Sequence, residues 1–225
     1  MKRIFDLVIF DLDGTLIDGR ETIRKNVNHA LGLHGHAPVS GHELYPLIGV
    51  PLLSIFERIL PDKDKELAPQ LVTDYRARYK LTSHEDVVII EGVTETLDYL
   101  NKNGFNLAVA TAKADSEAGP LLEKIGLKKY FDLVLGNKEN MKHKPDPEMI
   151  NYILGKLKTP AGKAVMVGDT VIDIEAGKNA KLFTVSVKTG VKLGIARLED
   201  LERARPDAMI DNLVYLPPIL QDKQV

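Results

Sequence analysis

The chain has 225 residues, of which 44% are hydrophobic and 28% are charged, which is ordinary for a globular protein. Its net charge of −2 gives no basic surface for nucleic acid, and the lack of cysteine excludes disulfides and thiolate metal sites. No apolar run is long enough to cross a bilayer or to act as a signal peptide, so we expect a soluble cytoplasmic protein that binds neither nucleic acid nor membrane.

Short apolar runs that are typical of strands alternate with helical patterns along most of the chain. The predicted strands are IFDLVIF (4–10), NLAVAT (106–111), FDLVLG (131–136), KAVMVGD (163–169) and LFTVSV (182–187). Between them, apolar residues such as Val93, Leu97 and Leu100 recur at helical spacing. This alternation predicts an α/β fold in which right-handed crossovers join parallel strands into a doubly wound, Rossmann-like sheet.

One long segment, residues 17–91, interrupts the alternation. It contains only helical patterns, for example Ile23, Val27 and Leu31, and it is punctuated by glycine and proline. The sequence therefore predicts a core unit formed by residues 1–16 and 92–225, with an all-helical cap subdomain inserted between them. We call residues 17–91 the insert. Because it follows the first strand, we expect it to lie over the carboxyl end of that strand.

Two carboxylates, Asp11 and Asp13, stand at the end of the first predicted strand in the sequence VIFDLDGT. The two-residue period of a strand places both on the same side, and Gly14 allows the backbone to turn sharply after them. A buried carboxylate is costly unless a positive group lies beside it. The sequence therefore indicates that a cation or a cationic side chain lies at this strand end.

Other predicted strands also end in polar residues. Thr111 and Asp169 each end a strand, Asp173 follows one helical turn after Asp169, and Lys144 precedes a predicted helix. Because the carboxyl ends of strands in a doubly wound sheet border one crevice, we expect these side chains to converge. Carboxylate oxygens suit Mg²⁺, which commonly bridges one or two carboxylates and a phosphate oxygen. The sequence therefore predicts a site for Mg²⁺ and a phosphate group.

Each of these residues has a simpler interpretation when it is taken alone. Asp13 with the following glycine could form a hairpin turn, and Thr111 could merely end a strand. Lys144 could be one of several solvent-exposed charged residues in a row. Asp173 could be an acid in the first turn of a helix, where it interacts favourably with the helix dipole. Their joint occurrence, in this order and at strand ends, favours a catalytic site.

Four segments together resemble the motifs of the haloacid dehalogenase-like superfamily. They are DLDGT (11–15), Thr111, Lys144 within KPDP, and GDTVID (168–173). The resemblance spans nearly the whole chain, because the insert is similar to the helical C1 cap of that family. It implies the fold predicted above and an enzyme that uses Mg²⁺.

The resemblance also implies a role for each matched residue. Asp11 would be the nucleophile that takes up the phosphoryl group, and Asp13 would be the general acid and base. The remaining implied ligands are Thr111, Ala112 and Lys144 for the phosphoryl group, and Asp11, Asp13 (through its carbonyl), Asp169 and Asp173 for the metal. The implied reaction is hydrolysis of a small phosphate monoester through an aspartyl phosphate.

Within the superfamily, the chain looks most like the phosphoglycolate phosphatase group. Dehalogenases lack an acid at the position of Asp13. Phosphonatases use a lysine of the cap, and residues 47–60 contain none. β-Phosphoglucomutases have an arginine shortly after the cap glycine, whereas this chain reads Val-Pro-Leu-Leu after Gly49. Lys113, two residues after Thr111, resembles the Thr-Asn-Lys pattern of the group, although Ala112 departs from it. Pyrophosphatases and β-phosphoglucomutase-like enzymes are the alternatives.

Two other classes of protein would share parts of this pattern. A receiver-type signalling module has a phosphorylated aspartate and a lysine, but the second acid and the insert argue against it. A non-catalytic binding module of the same fold would not need a complete set of acids. We expect a small phosphorylated metabolite as partner and a monomer or small homo-oligomer, with Arg20, Arg24, Gly49 and Lys113 as candidate specificity residues.

Overall fold

The computed structural model of the protein describes residues 4–221, so residues 1–3 and 222–225 of the predicted core unit lie outside the described residues. Within this range the chain forms eight strands. They are β1 (Leu7–Phe10), β2 (Ile17–Asp18), β3 (Val88–Ile89), β4 (Asn106–Ala114), β5 (Leu133–Asn137), β6 (Ala164–Gly168), β7 (Phe183–Val187) and β8 (Ala208–Ile210).

Ten α-helices lie among the described residues, and none of them is long and apolar enough to span a membrane. The insert contains α1 (Arg20–Leu33), α2 (Gly41–Leu44), α3 (Leu52–Ile59) and α4 (Ala68–Thr82). The rest of the chain contains α5 (Val93–Lys102), α6 (Asp115–Lys124), α7 (Glu148–Lys156), α8 (Val171–Asn179), α9 (Thr189–Lys192) and α10 (Leu198–Ala204).

Six of the strands form one parallel sheet in the order β5-β4-β1-β6-β7-β8. The chain leaves the central strand β1 towards β4 and β5, and then returns to build β6, β7 and β8 on the other side. The strand order thus reverses at β1, and in open α/β sheets ligands bind beyond the carboxyl ends of the strands at such a point. This sheet confirms the predicted doubly wound α/β fold.

Both faces of the sheet are covered by helices, and β1 explains why. All four of its residues are completely buried: Val8 and Phe10 pack in one hydrophobic cluster, whereas Leu7 and Ile9 pack in another. Apolar residues of α5 and α6 complete the first cluster, and those of α7 and α8 the second. A strand that is apolar on both faces is typical of a parallel sheet between two helical layers.

The insert has a hydrophobic core of its own. Val27 of α1, Phe56 of α3 and Leu71 of α4 are fully buried in one cluster that is separate from the two sheet clusters. Within it, the ring of Tyr75 packs edge-on against Phe56 and stacks on Tyr79 at 5.2 Å between centroids. The exact boundary that the sequence places between the insert and the core unit stays a prediction.

The structure also contains strands that the sequence patterns did not predict. The two-residue strands β2 and β3 pair in antiparallel fashion at the two ends of the insert, where only helical patterns had been expected. Strand β8 joins the edge of the main sheet with three residues. Segments this short cannot display a two-residue period, so their pairing depends on the tertiary structure.

The packing of α5 on the sheet leads to a stability prediction. Leu97 is completely buried, and its replacement by alanine should lower the free energy of unfolding by about 2–5 kcal/mol, because it leaves a cavity. The matched control is Leu81→Ala, at a side chain that is 73% exposed, which should change stability by less than about 0.5 kcal/mol. Urea unfolding of both variants measures the difference, and equal losses would contradict the described packing.

Candidate active site

Asp11 lies directly beyond β1, at the point where the strand order reverses. Its backbone N–H donates to the carbonyl of Val167 at 2.9 Å, so the residue is held between the ends of β1 and β6. Its side chain is only 6% exposed and accepts a hydrogen bond from Lys144 Nζ at 2.6 Å. The structure therefore brings together the strand-end acid and the distant lysine that the sequence singled out.

The ammonium group of Lys144 is buried and uses all three of its donors. Besides Asp11, it donates to Asp173 Oδ1 at 2.6 Å and to the carbonyl of Ala110 at 2.9 Å. Burial acts to lower the pKa of Lys144, but the two carboxylates outweigh it and raise the pKa above its usual value. Lys144 thus stays charged beside Asp11.

Three buried acids surround this lysine. Asp11, Asp169 and Asp173 each place one carboxylate oxygen within 4.8 Å of the others. Burial raises the pKa of Asp11 to about 7, against the opposing effect of Lys144. Burial and then the negative charge of Asp11 raise the pKa of Asp169 well above its usual value. One ammonium group does not balance three carboxylates, so the cluster favours a further cation.

Asp169 provides the test of whether a metal fits. The Thr15 hydroxyl donates to its Oδ1 at 2.7 Å, whereas its Oδ2 is buried and has no hydrogen-bond partner within residues 4–221. The backbone packs tightly here, because a Cβ at Gly14 or Gly190 would lie 2.2 Å from that Oδ2. A fixed, unpaired carboxylate oxygen beside two other acids fits a hard divalent cation such as Mg²⁺.

Asp173 has both of its oxygens occupied. Oδ1 accepts from Lys144, and Oδ2 accepts from the backbone N–H and the hydroxyl of Thr170 at 3.1 and 2.7 Å. The backbone contact is the half of a capping box at the start of α8 in which the acid in the first helical turn accepts from the N–H of the N-cap residue. The simpler interpretation of Asp173 as a helix-capping acid thus holds in the structure, alongside its contact with Lys144.

The carboxylate of Asp13 lies apart from the three clustered acids. Its Oδ2 is 3.1 Å from Lys113 Nζ, and its Oδ1 is buried without a hydrogen-bond partner in the described part of the chain. Lys113 also lies 4.8 Å from the centre of the Tyr79 ring on α4. Burial disfavours the charge on Lys113, but Asp13 and Tyr79 more than compensate and raise the lysine pKa well above its usual value.

A cavity of about 340 Å³ lies between the insert and the carboxyl edge of the sheet. From the core unit, Asp11, Asp13, Thr111 and Lys113 line it, and apolar residues of the insert form much of the opposite wall. Ala112 and Gly49 line it as well. Thr111 does not end its strand as the sequence predicted, because β4 continues to Ala114. Its hydroxyl accepts a hydrogen bond from the backbone N–H of Lys113 at 3.2 Å, in the part of β4 where the pairing with β5 is irregular.

Two of the four candidate specificity residues do not line this cavity. Arg20 forms an ion pair with Asp18 at 2.8 Å and lies over the Tyr45 ring, and Arg24 forms one with Glu21 at 2.6 Å. These acids lie two and three residues before the arginines, so local pairing determines where the guanidinium groups point. The cavity instead receives Arg76 from α4 and Glu117 from α6, which the sequence patterns did not single out.

Residues 8–187 match the family model of the haloacid dehalogenase-like hydrolases. The chain belongs to this family. It is 35% identical to a phosphoglycolate phosphatase of Agrobacterium fabrum, over 100% of this chain and 96% of that protein. It is also 35% identical to the pyrophosphatase PpaX of Bacillus velezensis, over 94% of each chain.

The fold of this family is also found among solved structures. A haloacid dehalogenase-like hydrolase from Streptococcus pneumoniae superposes with a TM-score of 0.84 at 21% identity, and the match covers 96% of this chain and 99% of that one. The resemblance inferred from the four motifs is therefore confirmed at the level of family and fold.

Proposed function

We propose that this protein is a Mg²⁺-dependent phosphatase that hydrolyses a small phosphate ester through an aspartyl phosphate on Asp11. The observation that carries the proposal is the position of the Asp11 carboxylate, which lines a small cavity and contacts a charged lysine. The unpaired oxygen of Asp169 beside it supports the metal requirement. The family membership supports the reaction class.

In the proposed first step, a carboxylate oxygen of Asp11 attacks the phosphorus atom. The phosphoryl oxygens are held by Lys144, which already lies against Asp11, and by the Thr111 hydroxyl. Asp11, Asp169 and the carbonyl of Asp13 would hold Mg²⁺, whose charge lowers the repulsion between the nucleophile and the phosphate. Splitting the reaction at an enzyme-bound phosphoryl group replaces one difficult step by two easier ones.

Asp13 is proposed as the group that moves the proton. It donates to the leaving oxygen in the first step, and it accepts a proton from the attacking water in the second. Its Oδ1 is unpaired, and the contact of Oδ2 with Lys113 holds the side chain at the cavity. Positioned acid–base groups of this kind contribute about 10²–10⁴-fold to a rate.

The first candidate substrate is 2-phosphoglycolate, and pyrophosphate is the second. The named relatives from Agrobacterium fabrum and Bacillus velezensis favour one each, at the same identity of 35%. A cavity of about 340 Å³ suits either molecule, because both are small.

A panel of substrates tests the proposed function. With Mg²⁺ present, kcat/KM should be higher for 2-phosphoglycolate than for glucose 6-phosphate, because the sugar of the latter carries no second anionic group and is a larger leaving group. A preference for pyrophosphate would move the assignment to the second candidate, and a preference for glucose phosphates would favour a mutase-like enzyme. If neither these compounds nor p-nitrophenyl phosphate turned over, the protein would be a binding module.

Removal of the metal should abolish activity. We expect no turnover of p-nitrophenyl phosphate in EDTA, recovery with Mg²⁺, and no recovery with Ca²⁺. Ca²⁺ takes more ligands in a looser geometry, so it can engage both oxygens of Asp11 and spoil the attack. Initial rates at fixed ionic strength measure the effect, and full turnover in EDTA would refute the assignment of the metal.

A further inference from the structure

The wall that the insert contributes to the cavity contains a single charged side chain, within the described residues. The charged side chain is Arg76. The other insert residues that line the cavity are apolar or glycine, except for the uncharged polar residues Ser54 and Tyr75. Arg76 lies on α4, directly after Tyr75, whose ring is buried in the core of the insert. The guanidinium group is therefore presented to the cavity from a helix that is itself firmly packed.

Arg76 is held only loosely in this position. Its ion pair within residues 4–221 is with Glu117 of α6, and the Nε–Oε1 distance of 3.6 Å is too long for a hydrogen bond. The side chain of Arg76 is 53% exposed, whereas that of Glu117 is 14% exposed and its Oε1 has no hydrogen-bond partner in the same range. The planar guanidinium group can therefore turn towards an anion that enters the cavity.

The lysines in or near the cavity all belong to the core unit. Lys113 is buried against Asp13 and Tyr79, and Lys144 lies against Asp11, where the phosphoryl group is proposed to bind. Lys138, whose Nζ lies 3.5 Å from Asp115, directly follows β5 and so does not belong to the wall that the insert forms. Arg76 is thus the cation that can meet the part of a substrate that faces the insert, opposite the phosphoryl group on Asp11.

We propose that Arg76 binds a second anionic group on the leaving group of the substrate, and that Glu117 holds Arg76 while the site is empty. The proposal rests on the proposed phosphatase function and names the substrate class: a phosphate ester or anhydride whose leaving group carries a carboxylate or a phosphoryl group. Arginine suits both, because its parallel N–H groups match the two oxygens of a carboxylate or phosphate.

The simplest competing explanation is that Arg76 and Glu117 only join the insert to the core unit. If they only join the two units, replacing either residue should lower kcat/KM equally for all substrates, and the two replacements should have the same effect. A binding role predicts opposite effects, because Arg76 attracts the substrate anion and Glu117 competes with that anion for Arg76.

The first measurement compares 2-phosphoglycolate with 2-hydroxyethyl phosphate, which has a similar size but an uncharged leaving group. In Arg76→Leu, the ratio of their kcat/KM values should fall about 10–100-fold, the range expected for a charge-assisted hydrogen bond. Pyrophosphate, measured against the same neutral ester, reports whether a phosphoryl group uses the same contact. The matched control is Arg78→Leu on the same helix, whose guanidinium donates to the Lys25 carbonyl at 3.3 Å; it should leave the ratio unchanged.

The second measurement reports binding without turnover. With Mg²⁺ present, calorimetric titration should show tighter binding of 3-phosphonopropionate than of propylphosphonate, and Arg76→Leu should remove this preference. Glu117→Gln should strengthen the preference, and it should have no such effect in the Arg76→Leu background.

The outcomes separate the two proposals. Equal losses for charged and neutral substrates in Arg76→Leu and Glu117→Gln would overturn the role of Arg76 and favour the joining role. An unchanged substrate ratio in Arg76→Leu would overturn it as well. If the unaltered protein turned over no phosphate compound, the phosphatase proposal would fail, while the phosphonate titration would still decide whether Arg76 binds the second anion.

Discussion

Replacing Asp11 by asparagine should reduce turnover by at least about 10⁴-fold, the largest effect expected for any single substitution in the protein. The amide keeps the shape of the side chain but is not a nucleophile, so neither a phosphoenzyme nor product should form. The variant should still fold, because Asp173 continues to hold Lys144 at 2.6 Å. Steady-state assays with p-nitrophenyl phosphate measure the loss, and circular dichroism checks the fold.

The matched control for this substitution is Asp18→Asn. Asp18 lies on the short strand β2 and pairs with Arg20, away from the residues that line the cavity. The Asp18→Asn variant should retain most of the activity of the unaltered protein, because the same change from acid to amide occurs outside the site. Comparable losses of activity in both variants would show that the effect of Asp11→Asn does not come from the loss of the nucleophile.

Replacing Asp13 by asparagine should lower steady-state turnover by about 10²–10⁴-fold, because no group then moves the proton. The first step should survive with p-nitrophenyl phosphate, since p-nitrophenolate leaves without protonation. The second step should be slow, because no base activates the water. Stopped-flow measurements should therefore show a burst of p-nitrophenolate equal to about one molecule per active site, followed by slow turnover.

Lys113→Met separates the role of Asp13 from that of its partner. It keeps the acid but removes the ammonium group that lies 3.1 Å from the Asp13 carboxylate. We expect a smaller loss and no burst, because Asp13 can still accept a proton from water. A burst in Lys113→Met, or its absence in Asp13→Asn, would contradict the assignment of Asp13 as the acid and base.

The convergence of the strand-end residues was predictable from the sequence. Asp11 and Asp169 lie directly beyond β1 and β6, and neighbouring parallel strands necessarily bring such ends together. The local pattern that identifies these two strands therefore also places the residue that follows each of them. Thr111 was expected to end its strand as well, but β4 continues to Ala114 with irregular pairing after Ala110, which the local pattern did not indicate. Lys144 could be included because its family motif is local as well.

The positions of Arg76 and Glu117 at the cavity were not predictable in the same way. Arg20 and Arg24 follow the first strand closely, yet the adjacent acids Asp18 and Glu21 pair with them. Arg76 and Glu117 face each other across the boundary between α4 and α6, and no periodicity links positions on two separate helices. Which side of a helix meets the cavity is decided by how the insert packs on the core unit.

The most direct test of the account is to locate the phosphoryl group in the Asp13→Asn variant. The protein is mixed with p-nitrophenyl phosphate and Mg²⁺, quenched in acid within the burst, digested, and analysed by peptide mass spectrometry. Catalysis through an aspartyl phosphate predicts one phosphoryl group on Asp11 and none when Asp11 is also replaced by asparagine. A phosphoryl group on another residue, or p-nitrophenolate release with no phosphorylated peptide, would contradict it.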